Sequence, residues 1–141
     1  MHKKYFFFDI DGTLTDNKTH KIVPSAKRTL DQLKANGHFV SIATGRAHYK
    51  AVSFTDKINI HNIVCNGGGC IVIDDQVVNL QPIPLEESIH ILEQADQNHV
   101  GWLLALNDDD TVIMKDYRFL ETAEAGDVTL GRTKMWAAAL K

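Results

Sequence analysis

The sequence has no surplus of basic charge: fifteen lysines and arginines stand against eighteen acids, a formal net charge of −3. That removes the electrostatic reason to expect nucleic acid or an anionic membrane as a partner, because both are bound through clustered positive charge. Long hydrophobic runs are missing as well. The longest, such as residues 5–8 and 71–73, fall far short of the ~20 needed to span a bilayer. No apolar segment with a small-residue cleavage site follows the N-terminal lysines, so no secretory signal is indicated and a cytoplasmic protein is expected. Cysteine is scarce. Cys65 and Cys70 flank Asn66-Gly67-Gly68-Gly69, and without an export signal they read as two small buried thiols in preference to a disulfide. The seven histidines are scattered, with no His-x-x-x-His or Cys-x-x-Cys spacing, which argues against a zinc site.

What is present describes an ordinary globular chain, 44% hydrophobic and 23% charged over 141 residues, long enough to bury a core. Residues 5–8, Tyr-Phe-Phe-Phe, stop abruptly at Asp9, the pattern of a buried parallel strand ending in a functional loop. Pro24 and Ser25 open a helix in which Ala26, Leu30 and Leu33 recur at helical spacing, and Gly37 supplies the stop. A second strand at 38–43 runs into Thr44-Gly45-Arg46, a helix is expected at 47–54, and a third strand at 63–65 closes on Asn66-Gly67. This order is β-α-β-α-β, an α/β fold with a partial doubly wound, Rossmann-like parallel sheet of three strands. Beyond Gly69 the grammar changes to antiparallel hairpins at 70–80 and 102–115 around a helix at 85–97, in which Leu85, Ile89 and Leu92 share a face. The expected division is therefore 1–69 and 70–141. The segment 136–140 favours helix by composition.

Two carboxylates at i and i+2 just past a buried strand can turn toward one pocket. Asp9 and Asp11 stand so, and Gly12 permits an unusual dihedral or close backbone approach that lets loop N–H groups hold phosphate oxygens. Open α/β sheets bind ligands at this end of their strands. A carboxylate can attack phosphorus to give an aspartyl-phosphate, and a hard divalent cation such as Mg2+ would bring the two anions together. Asp-x-Asp-Gly alone is also a polar turn; the continuation Thr13-Leu14-Thr15-Asp16 after the first strand favours the functional reading. Thr44 can donate a hydrogen bond to an anion at a helix start, or simply cap the helix. Arg46 is open between a substrate contact and a solvated first-turn residue, and Asn66 between a ligand contact and a turn residue. Asp108, Asp109 and Asp110 read as a solvated hairpin turn.

Residues 6–16 resemble the first motif of the haloacid dehalogenase superfamily of phosphatases. Ile42-Ala43-Thr44-Gly45-Arg46 resembles the second, and Asn66-Gly67-Gly68 is similar to the Cof-type sugar-phosphate phosphatases, whose α/β cap the later hairpins resemble at its start. The resemblance implies that Asp9 is the nucleophile and Asp11 the general acid/base. It also implies that the Asp9 side chain and the Asp11 carbonyl bind Mg2+, and that Thr44 with the backbone around Gly12 and Gly45 holds the phosphoryl group. Small phosphorylated metabolites are the implied substrates. The family continues after its cap with a lysine and an acidic Gly-Asp-x-x-x-Asp-type segment. Here Gly126-Asp127 is followed by Val128-Thr129-Leu130-Gly131, with no second acid. The expectation is thus the front of such a fold, with an open aromatic edge at the first strand and a homo-oligomer or strand-exchanged dimer. The competing reading is a catalytically silent fragment that binds Mg2+, phosphate or a partner protein. A receiver domain would need its phosphoacceptor where Cys65-Asn66 stands, and no Gly-x-x-x-x-Gly-Lys loop is present.

Overall fold

A computed structural model describes residues 2–125 and 134–137. The chain divides into two compact units, Met1–Pro82 and Ile83–Lys141.

In the first unit β1 (Tyr5–Phe8), α1 (Pro24–Ala35), β2 (Phe39–Ala43), α2 (His48–Thr55) and β3 (Ile63–Cys65) follow one another as expected, and β4 (Cys70–Ile73) and β5 (Gln76–Leu80) complete the sheet. The strand order is β1-β2-β3-β4-β5. β1 to β3 run parallel, with Phe8 beside Ile42 and Ile42 beside Ile63, because each crossover is a helix long enough to bring the chain back to the same end. α1 starts with Pro24 in its first turn and buries Leu30 completely. Its neighbours Ala26 and Leu33 pack on the same core, which gathers Ile10, Leu14, Ile42, Phe54, Ile58 and Ile63. Each such side chain, fully buried, contributes about 1.5–3 kcal/mol of hydrophobic transfer.

The expected boundary after Gly69 is corrected by this sheet. Gly69 marks a reversal of strand direction within it: β4 pairs antiparallel with β3, Cys65 opposite Cys70, and β5 pairs with β4. Val72 and Cys70 belong to the same core as β1–β3, so the five strands form one layer and the unit extends to Pro82. The two-residue turn between β4 and β5 is made by Asp74 and Asp75, both at positive φ, the conformation that suits the twist of paired strands. At the other end of the order β1 has one sheet neighbour among the described residues. Its outward side chains Tyr5 and Phe7 are 65% and 56% exposed, with their rings tilted against Phe39.

The second unit holds α3 (Leu85–Gln97), β6 (Leu104–Ala105), β7 (Thr111–Met114), α4 (Arg118–Ala125) and β8 (Lys134–Ala137), with β6-β7-β8 as a sheet. The packed positions of α3 are Ser88, Leu92, Ala95 and Asp96; Leu85 and Ile89 are exposed. Asp96 explains the rotation, since it accepts hydrogen bonds from Trp102 Nε1 and Lys115 Nζ, which flank the β6–β7 hairpin, and from Arg118 Nη2 of α4. Trp136 and Ala137 lie in a strand parallel to β7, not in the helix their composition favours; ladder pairing outweighs a propensity of a few tenths of a kcal/mol per residue. The Gly126-Asp127 segment and residues 138–141 lie outside the described residues.

Candidate active site

The loop after β1 is built around a buried isoleucine. Ile10 is fully buried, and its carbonyl accepts hydrogen bonds from Leu14 N (3.0 Å), Thr15 N (3.1 Å) and Thr15 Oγ1 (2.9 Å). Anchoring the middle residue leaves Asp9 and Asp11, on either side, exposed. Gly12 follows with φ +77°, and a Cβ there would lie 3.2 Å from Asn17 Oδ1. Both the dihedral and the crowding favour glycine. Asp16 serves the loop itself: its Oδ1 accepts from Lys18 N and Thr19 N, while Thr15 bridges to Ile22. The hydrogen bond from the Thr19 amide is the main reason its carboxyl sits below the usual range.

Because β1 and β2 are parallel neighbours in register, the loops that follow them leave the sheet side by side. Thr44 is buried, its amide donates to Val64 O, and its hydroxyl accepts from Arg46 N at 3.2 Å. α2 begins at His48 with Ala47 as its cap residue and no side-chain cap on that residue. The alternative of Thr44 as an ordinary helix cap is thereby corrected: it sits too early and closes a local turn, which leaves its O–H proton able to donate elsewhere. A Cβ at Gly45 would meet nothing within 4 Å, so the backbone is open to approach there.

Arg46 is neither merely solvated nor directed away. Its Nε donates to Asp11 Oδ2 at 2.9 Å and its Nη2 to Asp11 Oδ1 at 2.5 Å, a bidentate pair across the two loops. The guanidinium also lies 5.6 Å from the Phe54 ring centroid. The Arg46 hydrogen bonds hold the Asp11 carboxyl below its ordinary value against the opposing cost of burial, with smaller help from the charges of Arg46 and His20. Asn66, at the end of β3 with φ +52°, joins the third strand to this pair: its amide donates to Arg46 O (2.9 Å), and its Oδ1 accepts from His48 N (3.0 Å) at the start of α2. Asn66 is thus both a turn residue and a cap for a helix elsewhere in the sequence. Sequence reasoning missed the Arg46–Asp11 pair and the Asn66 cap. Their partners are 35 and 18 residues apart, and the only signal in the sequence is that all of them follow strand ends.

The Asp9 carboxylate and the Asp11 carbonyl are hard oxygen donors on one exposed loop, the donor type that Mg2+ prefers. Among the described residues no three His, Cys, Asp or Glu side chains gather into a metal cluster. The donors present fit such an ion in kind and would make part of a coordination shell. Asp109 Oδ1 accepts from Thr111 N, as expected for a residue of the solvated hairpin turn.

A family profile described as haloacid dehalogenase-like hydrolase matches residues 6–133, and the chain belongs to that family. Among curated relatives, the Bacillus subtilis protein named "Putative phosphatase YkrA" is 34% identical over 97 residues, which cover 69% of this chain and 37% of the relative. Among solved structures, BT1666 from Bacteroides thetaiotaomicron, described among phosphatases of this superfamily, superposes with a TM-score of 0.74 at 25% identity, covering 92% of this chain and 48% of that one. BT4131, described as a subclass IIB sugar phosphatase of the superfamily, shares the fold with a TM-score of 0.72 at 23% identity, covering 96% and 53%. The chain spans about half the length of these structures and less of the curated relative.

Proposed function

We propose that the chain carries the nucleophile and acid/base loops of a magnesium-dependent phosphomonoester hydrolase that acts through an aspartyl-phosphate on small, sugar-phosphate-like metabolites. The observation that carries this reading is the convergence of Asp9, Asp11, Thr44 and Arg46 on the ends of two adjacent parallel strands. Asp9, exposed at the strand end, attacks phosphorus, and the bond to the leaving alkoxide breaks. Asp11 gives that oxygen its proton, then takes one from the water that attacks the aspartyl-phosphate, releasing inorganic phosphate and restoring Asp9. The Thr44 hydroxyl and the open backbone at Gly45 donate to the phosphoryl oxygens. With Arg46 on both its oxygens, Asp11 is in the ionised form that accepts a proton from water; donating one requires that pair to loosen. The Asp9 side chain and the Asp11 carbonyl would hold Mg2+, which would supply charge neutralisation between carboxylate and phosphate.

A cytoplasmic setting follows from such substrates, and no helix among the described residues is long and apolar enough to cross a membrane. We take the edge of β1 that has no strand partner among the described residues, with its exposed Tyr5 and Phe7, as the surface through which two copies associate. Light scattering is expected to show a dimer that Phe7→Lys dissociates, and a monodisperse wild-type monomer would overturn this point. The activity is tested by hydrolysis of an aryl phosphate with and without Mg2+, by this chain and by Asp9→Asn. Turnover that needs the ion and vanishes in the folded variant supports the enzyme. Absence of turnover in both supports the silent scaffold.

A further inference from the structure

Cys65 and Cys70 are directly opposite each other in the β3–β4 ladder. Directly opposed residues in an antiparallel pair present their side chains on the same face, with Cβ atoms about 4.5–5.5 Å apart. Both are in the core, 0% and 1% exposed, and neither is in a disulfide. The chain between them is a short turn whose residues Asn66, Gly67 and Gly68 are exposed. A Cβ at Gly67 or Gly68 would meet nothing within 4 Å, so among the described residues the turn is open at those two positions. With both residues buried, oxidation of the sulfurs requires that turn to open.

We propose that Cys65 and Cys70 are a peroxide-sensitive dithiol whose closure to a disulfide shifts Asn66, and with it the bonds between β3, the Arg46 turn and α2. The steps balance with hydrogen peroxide as oxidant. One thiol takes an oxygen from the peroxide to become a sulfenic acid and releases water. The second thiol then displaces hydroxide from that sulfur, a second water leaves, and the two electrons that reduced the peroxide have come from the sulfur pair. A disulfide needs its Cβ atoms about 3.8 Å apart, so closure draws the ends of β3 and β4 together by about 1 Å. Asn66 is the next residue in the chain. Its amide bond to Arg46 O and its side-chain bond to His48 N are the contacts that movement strains.

The test treats the full chain with hydrogen peroxide, alkylates it in denaturant and weighs it intact. The expected product is a monomer lighter by two hydrogens, resistant to alkylation until reduced, whereas Cys65→Ser and Cys70→Ser gain oxygen in its place. A wild-type chain that stays alkylatable at both thiols, or that links only between chains, overturns the assignment, and this reading requires no variant to fold. Amide exchange followed by NMR tests the coupling: oxidation is expected to speed exchange at His48 roughly fivefold, the consequence of losing one modest hydrogen bond. Unchanged exchange at both His48 and Asn66 in the oxidised protein overturns the coupling.

Discussion

Removing Arg46 and Asp11 singly and together measures how strongly the two site loops are tied to each other. An exposed ion pair is worth about 0.2–1 kcal/mol. Here the Arg46 side chain is 27% exposed and that of Asp11 53%, so solvent screens the carboxylate, while the two-point geometry restores part of what screening removes. A coupling of about 0.5–1 kcal/mol is expected. The assay is urea unfolding of the wild type, Arg46→Ala, Asp11→Ala and the double variant at neutral pH, combined as a cycle so that losses unrelated to the pair cancel. The pH dependence has a definite sign. Arg46 lowers the folded-state pKa of Asp11 below its ordinary 3.8. Such a group adds stability that is fully present above the unfolded value and is lost as pH falls through the folded one. The coupling is therefore constant through the weakly acidic range and disappears only below the ordinary carboxylate value. A coupling near zero at neutral pH, or one that persists after Asp11 is protonated, refutes the reasoning.

Two further perturbations test how the loops are held. Leu30→Ala empties a fully buried position of α1 and is expected to cost about 2–5 kcal/mol in urea unfolding, more if the core does not relax. Gly12→Ala places a side chain at φ +77° and is expected to cost about 1–2 kcal/mol. Adding Asn17→Ala should recover only the part due to the 3.2 Å contact, and full recovery would mean that backbone strain plays no part.

Much of the first unit is legible in the sequence because its cues are local. The aromatic run stopping at Asp9, the proline that opens α1 and the stripe of Ala26, Leu30 and Leu33 each depend on residues within a turn or two of one another. The Cys70–Leu80 hairpin was equally legible as a hairpin, but not as part of the same sheet. Its strand periodicity is the same whichever sheet receives it, and only the pairing of Cys65 with Cys70 decides. Trp136 and Ala137 mislead for the converse reason, since composition reports local preference and the partner strand β7 lies more than twenty residues away in the chain.

For the site the division is similar. That Asp9 and Asp11 face solvent from one loop, with Gly12 behind them, is written into nearby residues: a buried isoleucine between two acids and a glycine where φ is positive. Sequence also suffices for membership of the haloacid dehalogenase-like family, because its motifs occur in order after successive strands. What it leaves open is the use made of Arg46 and Asn66. Their partners, Asp11 and His48, become neighbours only when parallel pairing brings three strand ends to one edge, and charge and hydrogen-bond capacity say nothing about partners until distance is set. Tertiary structure decides that Arg46 engages the carboxylate of Asp11, and that Asn66 binds the third strand to both the Arg46 turn and the helix beyond it.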